Sequence, residues 1–234
     1  MSKPPCNVRS RGFSLIELLV VVSIMSIVAS FAMVAFNNMS KSTDFTADIN
    51  GVTQGIEQAR AAAMAGNTYV WIGFIQLSAA TPGNVDGIDE VLMAAVYGKN
   101  GQSTDLAAGH YTPLFGPKTL KSLDLVKPPF DASVLQSAGR QAADDLSASQ
   151  LDPNPANCQF SQTVGSKKVN GKTPVFTELL QFNPLGEARI KSTSSNWIEI
   201  GMESWPWSKS PDLNPKIAIV QVSGFSGKVR IFRR

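Results

Sequence analysis

The chain has 234 residues, enough for one domain of ordinary size or two small ones. Hydrophobic residues make up 43% and charged residues 17%, which excludes a disordered chain and a multi-pass membrane protein. Two cysteines exclude a disulfide-dense scaffold, and a single histidine, His110, excludes a histidine-rich metal site.

The net positive charge is concentrated at the N-terminus. The formal net charge is +3, and Lys3, Arg9 and Arg11 account for all of it. Without these three, the 21 basic residues fall to 18 and equal the 18 acidic ones. A neutral remainder argues against non-specific nucleic-acid binding through bulk charge.

An apolar run follows the basic segment. Residues 18–36 contain no charged residue, and at about 1.5 Å per residue they approach the roughly 30 Å of a hydrocarbon core. The run therefore predicts one transmembrane helix, and the positive-inside rule places the short N-terminus in the cytoplasm. A plain signal anchor and a secretory signal peptide cut after Ser30 are alternatives that this pattern leaves open.

One carboxylate, Glu17, lies within the apolar surroundings. A lone charge there costs on the order of 3 kcal/mol and usually has a partner. Leu, Ile, Val and Ser surround it, so no partner is expected nearby in the chain. Cleavage between Gly12 and Phe13 would create an α-amine four residues before Glu17, which could pair with Glu17 of a neighbouring subunit in a stack of parallel helices. A glutamate that reaches water at the cytosolic interface is the alternative.

The sequence RGFSLIELL at residues 11–19 resembles the processing motif of type IV prepilins and type II secretion pseudopilins. In that family a prepilin peptidase cuts after the glycine and methylates the new terminal phenylalanine, and the glutamate at the fifth mature position serves assembly. Gly12, Phe13 and Glu17 match these positions. The resemblance implies prepilin peptidase, other pilin or pseudopilin subunits and, before assembly, membrane lipid as partners.

A helix is predicted to continue beyond the membrane run. Apolar residues at positions 45, 49, 52, 56, 59 and 63 recur at helical spacing, with charged residues beside them. The pattern predicts a helix that ends at Gly66 and Asn67 and whose stripe is core, covered by a sheet. Gly51 and Gly55 weaken this helix by roughly 1 kcal/mol each relative to alanine, so a bend could occur there.

A β-rich body is predicted after the helix. Runs rich in β-branched and aromatic residues predict strands at 68–76, 91–97, 175–182, 196–202, 217–222 and 229–233. Between the second and third of these, residues 116–173 are rich in Pro, Ser, Ala, Asp and Asn and predict a long irregular insertion. A short helix is expected within it, near residues 133–146.

Part of this body resembles the H-type minor pseudopilins and related minor pilins. The stretches that carry this resemblance are FNPLG at 182–186, VS at 222–223 and GKVR at 227–230. The chain is longer than that subfamily, chiefly through residues 116–173. The resemblance implies a minor pseudopilin of a type II secretion pseudopilus, with a minor pilin of a type IV pilus, in assembly or DNA uptake, as the alternative.

No combination of residues predicts catalysis. A catalytic triad needs a histidine, and His110 lies in the sequence GHY in a chain without a GxSxG elbow. Three carboxylates fall within residues 86–90 but lack the alternating spacing of a calcium loop, so a solvated turn is favoured over a calcium site. Cys158 would be the one thiol left after leader removal, either buried or paired between chains. We predict no metal, no cofactor and no enzymatic activity.

The C-terminus carries a basic cluster of Lys228, Arg230, Arg233 and Arg234. Four cations on an otherwise neutral body could contact phosphate, as in DNA-uptake minor pilins related to this group. Few aromatic residues are available nearby for base stacking. A solvated outer face of the last strand is therefore favoured, and nucleic acid is not expected as a partner.

Three parts are expected, in an α+β, type IV pilin-like fold with a long N-terminal helix packed on an antiparallel β-sheet body. Residues 1–12 form a cytoplasmic leader, residues 13–66 a helix with the transmembrane segment at 18–36, and residues 67–234 a periplasmic domain. The protein is expected as a single-pass protein of the inner membrane, and then as part of a periplasmic or surface filament.

Overall fold

The computed structural model describes residues 14–77, 90–103, 106, 109–127, 139–149, 151, 159–163, 169, 172–204 and 216–233, with the side chains of 31–42 excepted. The chain divides into two compact units, Met1–Thr43 and Asp44–Arg234. One helix, α1 (Leu15–Gly66), contributes residues to both. We call the second unit the body.

Within the body, α1 is amphipathic. The predicted apolar stripe is buried, with relative exposures of 0–4%, which confirms its interpretation as core. The helix ends where the sequence predicted. Asn67 adopts a left-handed φ of 46°, and the Thr68 N–H donates to the Ala63 carbonyl at 3.1 Å, as in a Schellman cap.

The rest of the body is β structure. The described strands, in chain order, are β1 (Val70–Leu77), β2 (Glu90–Gly98), β3 (Tyr111–Leu120), β4 (Leu123–Val126), β5 (Asp144–Asp145), β6 (Phe160–Ser161), β7 (Val175–Phe176), β8 (Glu178–Phe182), β9 (Ala188–Arg189), β10 (Trp197–Ser204), β11 (Ile217–Ser223) and β12 (Val229–Arg233). Their combination with α1 confirms the predicted α+β class.

The longer strands form two sheets, in which all pairs but one are antiparallel. The first sheet has the order β3-β2-β1-β8-β9, and the second has the order β12-β11-β10-β4. β5 pairs in parallel with β10, beyond the end of β4. The strands β6 and β7 form a separate two-stranded ladder.

One apolar cluster joins the stripe of α1 to residues of both sheets. Alternate residues of β1 and β2 enter this cluster, and the residues between them enter a second cluster on the other face of the first sheet. Because β1 is covered on both faces, its sequence VWIGFIQL is almost continuously apolar.

Phe160 of β6 and Phe176 of β7 cover the first sheet on the face away from α1. Their rings stack with centroids 5.0 Å apart. They lie over Gly73 of β1, where an added Cβ would be 2.7 Å from the Phe176 Cβ. The absence of a side chain at residue 73 therefore allows this close approach.

The prediction of an irregular insertion at 116–173 is wrong where the structure describes this segment, because strands lie within it. The segment contains the end of β3, then β4, β5, a 3-10 helix at Leu146–Ala148, and β6. The short helix expected near 133–146 is also wrong over 139–145, which is irregular or extended, while 133–138 lie outside the described residues. β3 escaped prediction because Pro113, Gly116 and Pro117 are unfavourable in strands, yet an edge strand tolerates them.

A buried charge fixes residues 139–145 across the second sheet. Glu199 of β10 has a side chain only 4% exposed, and Arg140 donates to both of its carboxylate oxygens at 2.7 and 2.9 Å. The buried Gln221 side chain of β11 donates to the Gln141 carbonyl at 2.7 Å. Lys191 bonds Asp144 at 2.8 Å, so this segment is held at several points.

Candidate processing and assembly site

The start of α1 holds the carboxylate that the sequence singles out. Gly12 and Phe13 lie outside the described residues, and Glu17 lies in the first helical turn. The Ser14 N–H donates to Glu17 Oε2 at 3.0 Å, and the Leu18 N–H donates to the Ser14 carbonyl at 3.2 Å. This is half of a capping box, in which a glutamate at the third helical position bonds the N–H of the capping residue.

The expectation that nothing nearby in the chain partners Glu17 is therefore wrong. Its partner is a main-chain N–H, not a side chain, and the spacing Ser14-x-x-Glu17 is the signal that could have identified it. The helix dipole also favours a negative charge at this position. An ionised carboxylate has two oxygens and about four acceptor sites, so the cap leaves Glu17 able to accept a cation as well.

Beyond this cap, the described surface of α1 over residues 15–30 is mostly apolar and exposed. Leu15 is 83% exposed, and the other large hydrophobic residues of 15–28 are exposed on every side of the helix. The hydroxyls of Ser23, Ser26 and Ser30 donate to carbonyls three or four residues earlier, at 2.7–2.8 Å. These bonds satisfy the hydroxyls within the helix, so the surface presents few free polar groups.

Within the part of the chain that the structure describes, no helix meets the criteria of length and hydropathy for a membrane span. The predicted segment 18–36 includes residues 31–36, whose side chains lie outside that part.

The predicted basic cluster at the C-terminus does not form one surface. Arg230 lies over the Trp197 ring, with its guanidinium carbon 4.8 Å from the ring centroid. Arg233 lies on the opposite face of β12 and donates to Asn50 Oδ1 of α1 at 3.0 Å. Lys228 precedes β12 on the same face as Arg230, and Arg234 lies outside the described residues.

The remaining candidate groups are the carboxylates at 86–90, His110 and Cys158. Residues 86–89 lie outside the described residues, and Glu90 is buried at the start of β2, not in a solvated turn. No group of three or more metal-ligating side chains occurs among the residues that the structure describes. His110 is exposed, and its carbonyl accepts the Lys99 N–H at 2.8 Å. Cys158 also lies outside the described part.

The stretches FNPLG at 182–186, VS at 222–223 and GKVR at 227–230 meet in the body. Asn183 Oδ1 accepts the N–H groups of Leu185 and Glu187 at 2.9 and 3.0 Å, which shapes the first loop. Gly227, with φ 62°, lies in the second loop, and an added Cβ there would be 2.3 Å from the Gly186 carbonyl oxygen. The two loops are therefore in direct contact, and this contact requires glycine at residue 227.

Comparison with known proteins identifies the N-terminal segment. A family model described as the prokaryotic N-terminal methylation motif matches residues 7–33. No curated protein and no solved structure matches the chain. The match supports the resemblance of this N-terminal segment to the type IV prepilin-like family. This motif indicates processing by prepilin peptidase, membrane anchoring and assembly with other pilin subunits.

Proposed function

We propose that this protein is a non-catalytic minor subunit of a type II secretion pseudopilus. Prepilin peptidase cuts it after Gly12 and methylates Phe13, and the mature chain assembles through α1. Before assembly the protein is held in the inner membrane by residues 18–36, with its body in the periplasm. The match of the methylation motif to residues 7–33 is the observation that carries this proposal.

Two features of α1 support an assembly role. Its exposed apolar surface over residues 15–28 must be covered by lipid or by other subunits, because contiguous apolar surface in water is unfavourable. Glu17 is capped at one oxygen and retains acceptor capacity for the terminal amine of a neighbouring Phe13. Transfer from lipid to a filament would then exchange one apolar environment for another, with the charge pair setting the register.

The choice of a secretion pseudopilus rests on the likeness of the stretches at 182–186, 222–223 and 227–230 to H-type minor pseudopilins. A minor pilin of a type IV pilus, in assembly or DNA uptake, is the second candidate, because it shares the N-terminal motif. A secreted binding module released by cleavage after Ser30 is the candidate of another class. Catalysis has no part in any of these proposals.

Two substitutions of Glu17 separate charge pairing from helix capping. Glu17→Leu removes both the charge and the acceptor, whereas Glu17→Gln keeps an acceptor for the Ser14 N–H and removes the charge. We expect both variants to be cut after Gly12, to accumulate in the membrane and to fail in filament incorporation. The measurement is the fraction of the protein that can be chemically crosslinked to other filament subunits, relative to the uncrosslinked membrane fraction, on immunoblots in a host with its own prepilin peptidase.

Ser23→Ala serves as a matched control, because it changes the same helix without touching the cap or the charge. It should enter filaments as the unchanged protein does. Incorporation of Glu17→Gln at the wild-type level would show that capping, and not charge pairing, is the role of Glu17. Unimpaired export of Glu17→Leu with a start at Phe31 would contradict the subunit proposal and favour the secreted module.

A further inference from the structure

The outer edge of β12 is a regular sheet edge. β12 lies at the end of the second sheet and pairs with β11 in an unbroken register, from Ala218↔Arg233 to Val222↔Val229. Among the residues that the structure describes, none pairs with its other edge. The strand contains neither proline nor a bulge. It therefore presents a straight row of main-chain donors and acceptors.

The remaining sheet edges differ from β12 in ways that hinder strand pairing. β3, at one end of the first sheet, carries Pro113, Gly116 and Pro117 and shifts register twice against β2. β9, at the opposite end of the first sheet, has only two residues. In the second sheet, the edge opposite β12 is formed by β4, with four residues, and β5, with two residues, both of which pair with β10. Prolines, bulges or short length hinder pairing at those edges, whereas β12 has only its cations, which oppose pairing with a strand of like charge.

The ladder determines which groups of β12 face outward. The Ser223 N–H donates to the Lys228 carbonyl at 2.9 Å, which makes these two residues a hydrogen-bonded pair. Such pairs alternate along antiparallel strands, so Arg230 and Phe232 direct their main-chain groups at β11. The N–H and C=O groups of 229, 231 and 233 consequently point to the free edge. Ile231 is 37% exposed, which agrees with an accessible edge.

The charged residues of the segment 228–233 are all positive: Lys228, Arg230 and Arg233. Lys228 and Arg230 share the outer face of the sheet, while Val229 and Ile231 share the inner one. No carboxylate in the described ranges pairs with either cation or with Arg233; Arg230 lies over an indole ring and Arg233 bonds an amide. Pairing of β12 with a second copy of itself would bring these cations together, which is unfavourable.

We propose that the edge of β12 binds, as an added strand, an extended segment of another protein in which acidic and aliphatic residues alternate. Main-chain hydrogen bonds to residues 229, 231 and 233 supply affinity, as in β-augmentation. The acidic side chains of the added strand lie beside Lys228 and Arg230, and its aliphatic side chains lie beside Val229 and Ile231. This inference goes beyond the proposed function and does not depend on which machine the subunit serves.

The probe is a fluorescein-labelled octapeptide of alternating glutamate and valine, titrated into the full chain in detergent micelles. A peptide of alternating lysine and valine is the control. We expect the acidic peptide to bind at least about tenfold more tightly, as judged by fluorescence anisotropy. Hydrogen exchange should slow in the segment 229–233 when the acidic peptide is present and stay unchanged with the basic one.

Ile231→Pro is the decisive variant, because it removes an N–H that points to the free edge and not one that bonds β11. It should keep the thermal midpoint of the protein and lose peptide binding, whereas Ile231→Val should keep both. Arg230→Glu tests the charge without a proline, and should weaken binding of the acidic peptide and strengthen that of the basic one.

Failure of the acidic peptide to bind would overturn the proposal. So would undiminished binding by Ile231→Pro, or exchange that slows elsewhere and not at 229–233. An oligothymidine bound at this edge in preference to the acidic peptide would assign it to nucleic acid and equally overturn the proposal. None of these outcomes alters the test of Glu17, so the two proposals fail independently.

Discussion

Glu17 is a carboxylate at the start of an apolar helix, and within a bilayer a lone charge would cost on the order of 3 kcal/mol. The bond from the Ser14 N–H and the helix dipole offset part of this cost within the single chain. Both interactions lie within the first helical turn, so the cap can be predicted from the four residues Ser14 to Glu17. A partner in a neighbouring subunit is a property of the assembly, and a single chain cannot display it.

The contribution of the Arg140–Glu199 ion pair to stability depends on the burial of the Glu199 carboxylate. Arg140→Ala leaves the Glu199 carboxylate desolvated and without its bidentate cation, which should lower the free energy of unfolding by about 3 kcal/mol. The measurement is urea unfolding of the full chain in detergent, followed by tryptophan fluorescence.

Arg230→Ala is the matched control for this prediction. Arg230 is itself exposed, and its guanidinium lies over the half-buried Trp197 ring, so its loss should cost less than about 1 kcal/mol. Equal losses for the two variants would show that the carboxylate of Glu199 is not desolvated in solution.

The contributions of Asp48 and Asp144 to stability should change in opposite directions with pH. Burial raises the pKa of Asp48, despite the bond that it accepts from the Ser122 N–H. The stability gained by protonating Asp48 is therefore fully present below the ordinary aspartate pKa and is lost as the pH rises through the raised pKa. Asp48→Asn should thus raise the thermal midpoint at pH 7, with a gain that vanishes in acid.

The hydrogen bond from Lys191 lowers the pKa of Asp144. The stability that ionised Asp144 contributes is therefore fully present above the ordinary aspartate pKa. It is lost as the pH falls through the lowered pKa of Asp144. Asp144→Asn should lower the midpoint at pH 7 and have no effect in acid. Thermal scans of both variants and the unchanged protein between pH 3 and pH 7 provide the comparison. Shifts of the same sign in both variants would contradict these assignments.

At the scale of elements, the two glycines in the interior of α1, Gly51 and Gly55, differ in their surroundings. An added Cβ at Gly51 meets only Leu120 Cδ2, at an ordinary 3.8 Å. An added Cβ at Gly55 would lie 2.7 Å from the Met93 Cε in the core. Gly51→Ala should therefore raise the free energy of unfolding by about 0.5–1 kcal/mol, the usual difference in helix propensity.

Gly55→Ala gains the same propensity but must displace the Met93 side chain, so it should gain less than Gly51→Ala or destabilise the protein. Urea unfolding of the two variants measures this difference directly. A larger gain at residue 55 than at residue 51 would contradict the packing described for α1 on the first sheet.

The strands differ in how far their sequences reveal them. The regular runs of β1, β2, β10, β11 and β12 are rich in β-branched and apolar residues, and the sequence predicted them to within two residues. β3 was missed because its prolines are tolerated at an edge that only tertiary pairing defines. The two residues of β6 carry no periodic signal, and their place follows from the stacking of Phe160 on Phe176.

At the scale of the whole molecule, the two units have contrasting surfaces. The body buries its apolar residues between α1 and two sheets, and it covers the other face of the first sheet with β6 and β7. In the first unit the apolar side chains of 15–30 are exposed. A protein with this division is expected to need lipid, detergent or other subunits to stay soluble, which is the behaviour of a filament subunit with a membrane-held precursor.

The central claim is that the chain is a prepilin-like precursor cut after Gly12, and the mature N-terminus tests it most directly. The protein is extracted from membranes of a host with its own prepilin peptidase, and then measured by intact mass and N-terminal sequencing. We predict a chain that starts at N-methylated Phe13, with 12 residues lost. A start at Phe31, or an uncut chain in a competent host, would contradict it.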